Sequence, residues 1–151
     1  MPTSFTLETQ SPVPPETLFD RSLDIDAHVA SMSHTGERAI GGVVEGAIGL
    51  GESVTWSARH FGIRWTMTSR ITELDRPGRF VDEQVRGPFR SFRHVHEFRR
   101  GVDGGCIMVD TIELGSPVFG ALAERLVLVP YLRRLIRRRN AHLVASLATD
   151  C

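Results

Sequence analysis

The tract from Glu52 to Leu114, ESVTWSARHFGIRWTMTSRITELDRPGRFVDEQVRGPFRSFRHVHEFRRGVDGGCIMVDTIEL, constrains the fold more than any other part of the chain. Runs rich in β-branched and aromatic residues recur there between turn signals: Phe61-Gly62, Asp75-Arg76-Pro77-Gly78, Gly87-Pro88 and Gly101 to Gly105. This pattern predicts an antiparallel meander with strands over Glu52 to Phe61, Ile63 to Glu73, Arg79 to Arg86, Phe89 to Arg99 and Cys106 to Leu114. The strands carry carboxylates, a glutamine and histidines that a closed apolar core would exclude, because an unpartnered buried polar group costs about 1–3 kcal/mol. A curved sheet wrapped around a polar-lined cavity resolves the conflict.

The flanking segments complete an architecture. Phe5, Leu7 and Thr9 alternate with polar residues and predict a first strand, ended by Pro12, Pro14 and Pro15. Proline at the start of PPETLFDRSL suits the first turn of a helix, with Glu16 placed favourably against its dipole. A second short helix is expected over Asp24 to Met32. The glycine-dense segment from Gly36 to Gly51, with Ala39, Ile40, Val43, Val44 and Ile48, reads as a strand interrupted by bulges or a bend. It contains neither phosphate-loop glycine pattern. Ser116-Pro117 signals a helix start, and the rest of the chain reads as one long helix kinked at Pro130. Its expected apolar face is Leu122, Leu126, Val129, Leu132 or Arg133, Ile136, Leu143 and Leu147. Strand, two short helices, six strands and a long helix make an α+β domain.

A chain of 151 residues is the size of one domain, expected to span residues 1–151, with enough buried surface for a core and a cavity. Its 18 acidic and 18 basic side chains balance, so no global field recruits nucleic acid or an anionic membrane. Cys106 and Cys151 lack metal-site spacing and predict no disulfide framework. The N-terminus has no signal-peptide pattern, and the apolar run Leu126 to Val129 is far too short to span a bilayer. The expectation is a soluble cytoplasmic protein with no integral membrane contact.

Alternate residues of a strand share a face. Phe92, His94, His96 and Phe98 therefore lie together, and aromatic rings at both ends point that set inward. The same rule groups Phe80, Asp82 and Gln84, and separately Met108, Asp110, Ile112 and Leu114, beneath the last helix. For the strand from Arg79 the opposite face, Val81, Glu83 and Val85, is the alternative. Trp56, His60, Trp65 and Met67, with Leu126 of the helix, are expected to add apolar lining. The candidate polar cluster is His94, His96, Asp82 and Asp110. It is suited either to acid-base work near neutral pH or to hydrogen bonds that fix sheet register.

Other chemistries find less support. His94 and His96 on one strand face, with Asp110 or His60 as a third ligand, have the spacing of a strand-borne zinc site. Glu97 follows His96 directly where a spaced glutamate is wanted, so neither metal nor cofactor is expected. The run Arg133, Arg134, Arg137, Arg138 and Arg139 reads as the solvated face of the helix and, with Tyr131 as its one nearby aromatic, not as a nucleic-acid surface. Arg59 and Arg70 are likewise expected in solvent. Ser57, Ser69, Ser91 and Ser116 have no GxSxG setting.

The element order, together with TWSARHFG, SRITELDRPGRFVDEQVRGPFRSFRHVHEF, MVDTIEL, SPVFGALAERL and YLRRLIRRRN, resembles the SRPBCC (START-like, Bet v 1-like) superfamily, in its bacterial polyketide cyclase and ligand-binding branch. The resemblance implies a helix-grip fold, in which a curved seven-stranded antiparallel sheet grips the C-terminal helix around a cavity for hydrophobic ligands. It implies a carrier or binding protein for a lipid, polyketide or aromatic metabolite. A cyclase or dehydrase using the His/Asp cluster as acid and base is the alternative, and a regulatory or interaction module, monomeric or homodimeric, the third reading.

Overall fold

The computed structural model describes residues 3–115, 122 and 124–149. Seven strands form one antiparallel sheet: β1 (Thr3–Ser11), β2 (Arg38–Gly42), β3 (Ser53–His60), β4 (Ile63–Asp75), β5 (Arg79–Arg86), β6 (Ser91–Arg100) and β7 (Cys106–Gly115). Their spatial order is β1-β7-β6-β5-β4-β3-β2, so the meander runs in sequence from one edge and β1 returns to close the other. Two short helices, α1 (Pro15–Ser22) and α2 (Ile25–Ser31), link the edge strands β1 and β2, and α3 (Val129–Thr149) lies against the sheet. This is the α+β arrangement expected from the element order and the helix-grip fold that the resemblance implies. No described helix is long and apolar enough to cross a membrane.

Local chemistry sets the element ends. Pro15 occupies the first turn of α1, where a missing N–H costs nothing, and the Asp24 carboxylate accepts from the Ala27 N–H at 3.1 Å to cap α2. The glycine-rich segment departs from its expectation as a strand up to Gly51, because only Arg38–Gly42 pairs with β3 and the register shifts between Ala39 and Gly41. Gly42 ends the pairing at φ +69°, where a Cβ would stand 2.2 Å from the Ser53 carbonyl. The middle of the following loop bonds the α1–α2 connection instead. Ile25 donates to the Gly46 carbonyl at 2.8 Å, and Ile48 to that of Leu23 at 3.0 Å.

The last helix also differs from its expectation. A π-helical turn, Glu124–Leu128, precedes α3, and Pro130 sits in the first α-helical turn. The wider turn breaks the 3.6-residue phase. Counting back from Leu132 therefore fails: Leu122 and Leu126 are exposed, while Leu132, Leu135, Ile136, Leu143 and Leu147 are buried. Ser116-Pro117 lies outside the described residues.

Two apolar clusters hold the layers together. One gathers Leu18 and Phe19 of α1 with Phe80, Phe98, Met108 and Leu143. The other packs Phe5 and Leu7 of β1 with Ile112 and Leu114 against Leu132, Leu135 and Ile136 of α3. On the outer face Val81 is fully buried beneath charged neighbours, where Glu73 meets Arg79 at 2.8 Å and Arg93 at 2.9 Å. Long arginine stems cover apolar surface while their heads stay in water.

Phe19 joins α1 to the sheet, with its ring edge-on to Phe80 at 5.5 Å and to Phe98 at 5.2 Å. We expect Phe19→Ala to lower unfolding free energy by about 3–5 kcal/mol. Urea denaturation checks this, and a loss below about 1 kcal/mol would show that α1 does not anchor the core.

Candidate functional site

A cavity of about 640 Å³ lies between α3, α2 and strands β3 to β6. Alternation along β6 brings Phe92, His94 and His96 to its wall, and Phe80 and Asp82 arrive from β5 because Asp82 pairs with His94 and Phe80 with His96. Trp56, His60, Trp65 and Met67 also line it. The inward set on β5 is thus Phe80 and Asp82, not Val81 and Glu83.

Six expected lining residues lie elsewhere. Gln84 folds back on the β5–β6 turn, donating to the Phe89 carbonyl at 2.8 Å and accepting from the Phe89 N–H at 3.2 Å. Phe98, Met108 and Ile112 are consumed by the two apolar clusters. Leu126, 68% exposed, is turned outward by the π-helical turn. Asp110, the fourth member of the candidate polar cluster, is fully buried behind the wall. The cause is common to the β7 residues: α3 rests on the β1–β7 side, where Arg133 donates to the Thr6 carbonyl at 3.0 Å and Asn140 to Thr9 Oγ1 at 3.0 Å. That contact fills the space beneath β7 and leaves the cavity over β3 to β6.

Asp110 is the centre of a buried network. Its Oδ1 accepts from His94 Nε2 at 2.7 Å and its Oδ2 from Asn140 Nδ2 at 2.7 Å, with His96 Nδ1 at 3.4 Å and Arg139 Nη2 at 3.6 Å from Oδ1. His96 Nε2 reaches Asp82 Oδ2 at 2.7 Å. The two imidazoles stack at 3.7 Å, and Phe80 stacks on His96 at 4.0 Å. Arg139 and Asn140 were not expected here. Arg139, read from sequence as solvated, is 4% exposed and reaches the cavity wall. Its helical spacing from Leu135, Ile136 and Leu143 was the available signal.

Burial and pairing compete at each group. Burial raises the Asp110 carboxyl, but the hydrogen bond from His94, the nearby His96 imidazole and the Arg139 charge outweigh it and hold the group well below the carboxylate range. Asp82 is likewise lowered: burial opposes, and the His96 hydrogen bond and neighbouring charges prevail. Burial, reinforced by the charge of His96, pushes His94 down to about 4 against the pull of Asp110. His96 moves the other way: burial lowers it, but the nearby Asp110 carboxylate and the hydrogen bond to Asp82 outweigh that cost and raise it. With His96 protonated, imidazolium and guanidinium balance two carboxylates while His94 stays neutral, which limits the cost of burying the cluster.

The mouth of the cavity opens between the β3–β4 hairpin and the π-helical turn, where Phe61, Ile63, Trp65 and Val127 are both exposed and lining. Tyr131 crosses toward the hairpin: its hydroxyl is 2.5 Å from His60 Nδ1 and its ring 4.5 Å from that of Phe61. Burial lowers His60 and raises Tyr131. Arg59 and Arg70 are on the solvated outer face.

Asp82, His94 and His96 each bring one ligand-type atom within 4.8 Å of the others. A cation there would have Asp82, not His60 or Asp110, as its third ligand. It would compete with the proton of His96 and with the hydrogen bonds to both carboxylates.

The shifts predict a pH profile. Between about 6.5 and 4 the unfolded chain protonates His94 while the folded chain does not, so stability falls as pH falls through this window, by on the order of 3 kcal/mol in all. The raised His96 adds stability that is present below about 6.5 and lost as pH rises through its folded value. The depressed Asp82 and Asp110 contribute above the unfolded carboxylate range and lose it below. Urea denaturation from pH 4 to 8 checks this. We expect His94→Gln to flatten the limb between 6.5 and 4, and an unchanged limb would contradict the assignment.

Comparison with known proteins agrees with this architecture. A family model described as polyketide cyclase / dehydrase and lipid transport matches residues 2–148. No curated protein matches the sequence. The chain is similar in structure to a protein of Thermus thermophilus, at 18% identity and TM-score 0.74, over 95% of this chain and 99% of that one. It is also similar to the ginseng major latex-like protein 151 of Panax ginseng, at 14% identity and TM-score 0.65, over 95% and 98% of the respective chains. At these identities the likeness speaks for the fold alone. The match over nearly the whole length, on a seven-stranded sheet gripping a C-terminal helix, makes this chain a member of the polyketide cyclase / dehydrase and lipid transport family, with the Bet v 1-like fold.

Proposed function

We propose that this chain binds a small hydrophobic or amphipathic molecule inside the cavity between its sheet and α3, as a carrier or binding protein. The observation that carries the reading is the cavity itself: about 640 Å³, mostly apolar in its wall, with a compact polar group at one end. Its volume is that of a drug-sized ligand site. Apolar enclosure by Val54, Ile71, Phe80, Phe92, Leu135 and Ile136 supplies affinity, and Asp82 and His96 orient a polar group of the ligand. The family description, which includes lipid transport, supports the same class of ligand.

A second reading is favoured by one specific feature. His96 and Asp82 form a hydrogen-bonded acid-base pair on the cavity wall, and the family description also includes cyclases and dehydrases. In that reading His96 gives a proton to a ligand oxygen and Asp82 takes one, the classes of step that an aldol-type cyclisation or dehydration needs.

Native mass spectrometry of freshly purified protein tests the first reading. We expect a retained small molecule whose mass does not change on incubation, and we expect Leu135→Trp, which fills the cavity, to abolish its retention and the binding of 1-anilinonaphthalene-8-sulfonate. A folded Leu135→Trp variant that binds as before would sink the proposal. Asp82→Asn separates the two readings: a carrier keeps its ligand within about tenfold in affinity, as expected for one hydrogen bond. A mass change in the bound molecule that this variant abolishes would establish the enzyme instead.

A further inference from the structure

The network around Asp110 leaves a second set of polar groups on the cavity wall unused. Glu37 follows the short helical turn after α2, is 8% exposed and lines the cavity. Its Oε2 stands 2.8 Å from His28 Nε2 as an ion pair, and no hydrogen bond satisfies the buried oxygen. The His28 ring lies against Trp56 at 4.4 Å, and both residues line the same cavity. Ser69, 4% exposed on the inward face of β4, also has an Oγ without a partner. Buried polar groups left in this state each cost stability unless something bonds to them.

The register places this group far from Asp82 and His96. Trp56 pairs with Met67, Asp82 pairs with Ile71, and Val54, Ser69 and Gln84 lie in the row between them. The two ends are therefore two strands across and four residues along, about 16 Å between backbone positions. Ser69 stands midway. Val54 stands beside it in that row, and Met67 and Ile71 flank it along β4, so apolar side chains separate the two ends.

We infer that the cavity has a second polar pole, Glu37 with His28 beside Trp56, and that its ligand is an elongated molecule with an apolar body and a hydroxyl or amine at the end seated there. A carboxylate only accepts hydrogen bonds, so the group it meets is a donor. The indole and imidazole faces beside it contact the adjoining carbons of the ligand. The opposite end of the ligand reaches Asp82 and His96, and this inference rests on the ligand-binding reading of the cavity.

The test uses two probes of equal chain length, 1,12-dodecanediol and 1-dodecanol, displacing 1-anilinonaphthalene-8-sulfonate from the full chain. Dodecanol can seat its single hydroxyl at Asp82 and His96, whereas the diol places one at each pole. We expect Glu37→Leu to weaken the diol by about tenfold or more, the effect of losing a hydrogen bond to a charged group, and to leave dodecanol within about twofold. Glu37→Gln, close in shape and uncharged, carries the same test should the leucine variant not fold, with an expected loss of at least about threefold confined to the diol. Equal effects on both probes, or none on the diol, overturn the second pole while leaving the ligand reading intact. Failure of the unmodified chain to bind either alcohol overturns both.

Discussion

The Asp110 carboxylate is the constraint on which the rest of the arrangement depends. It sits on β7, accepts from His94 of β6 and Asn140 of α3, and faces His96 and Arg139, so one buried charge ties two strands to the helix that covers them. A fully buried carboxylate left unpaired would be prohibitively costly, and each of these donors has a reason to stay where it is. Asn140 also donates to Thr9 on β1, and Arg139 holds the Asn140 amide oxygen at 3.1 Å. The helix is thereby fixed on the β1–β7 side of the sheet, and the cavity is what remains over the other strands.

The same contact divides the polar residues by task. His94, held neutral by burial and bound to Asp110, belongs to the fastening. His96 lies between the buried Asp110 and the cavity-facing Asp82, so it couples the fastening to the wall. Any change in charge at Asp82, whether by a proton or by a bound polar group, is felt by His96 and through it by the carboxylate that holds α3. One imidazole thus stands between the carboxylate on the cavity wall and the carboxylate that fastens α3.

Period-two alternation made the inward faces of β5 and β6 legible, because strand parity is a local property and aromatic residues mark the buried side. Depth was not legible. Parity places Asp110, Met108 and Ile112 on the inward face of β7 just as it places His94 on that of β6, and only the position of α3 decides which of them meets a helix and which meets open space. Leu126 was misread for a different reason: the π-helical turn adds a fraction of a residue per turn, a change that no 3.6-residue template contains. Glu37 and His28 come from a turn and a short helix with no periodic signal, and meet Trp56 only through the tertiary fold.

Arg139 shows how charge type and position can give opposing signals. Its neighbours Arg134, Arg137 and Arg138 are solvated, and composition groups all of them as one basic face. Phase does not: residue 139 lies one turn beyond Leu135 and one turn before Leu143, on the buried stripe. A guanidinium on that stripe needs a buried anion to offset its desolvation, and Asp110 is the carboxylate within its reach. An arginine at a core phase of the last helix and an aspartate at an inward phase of the last strand thus imply one another. Such a pair of misplaced charges, one on each layer, marks the joint between the last helix and the last strand.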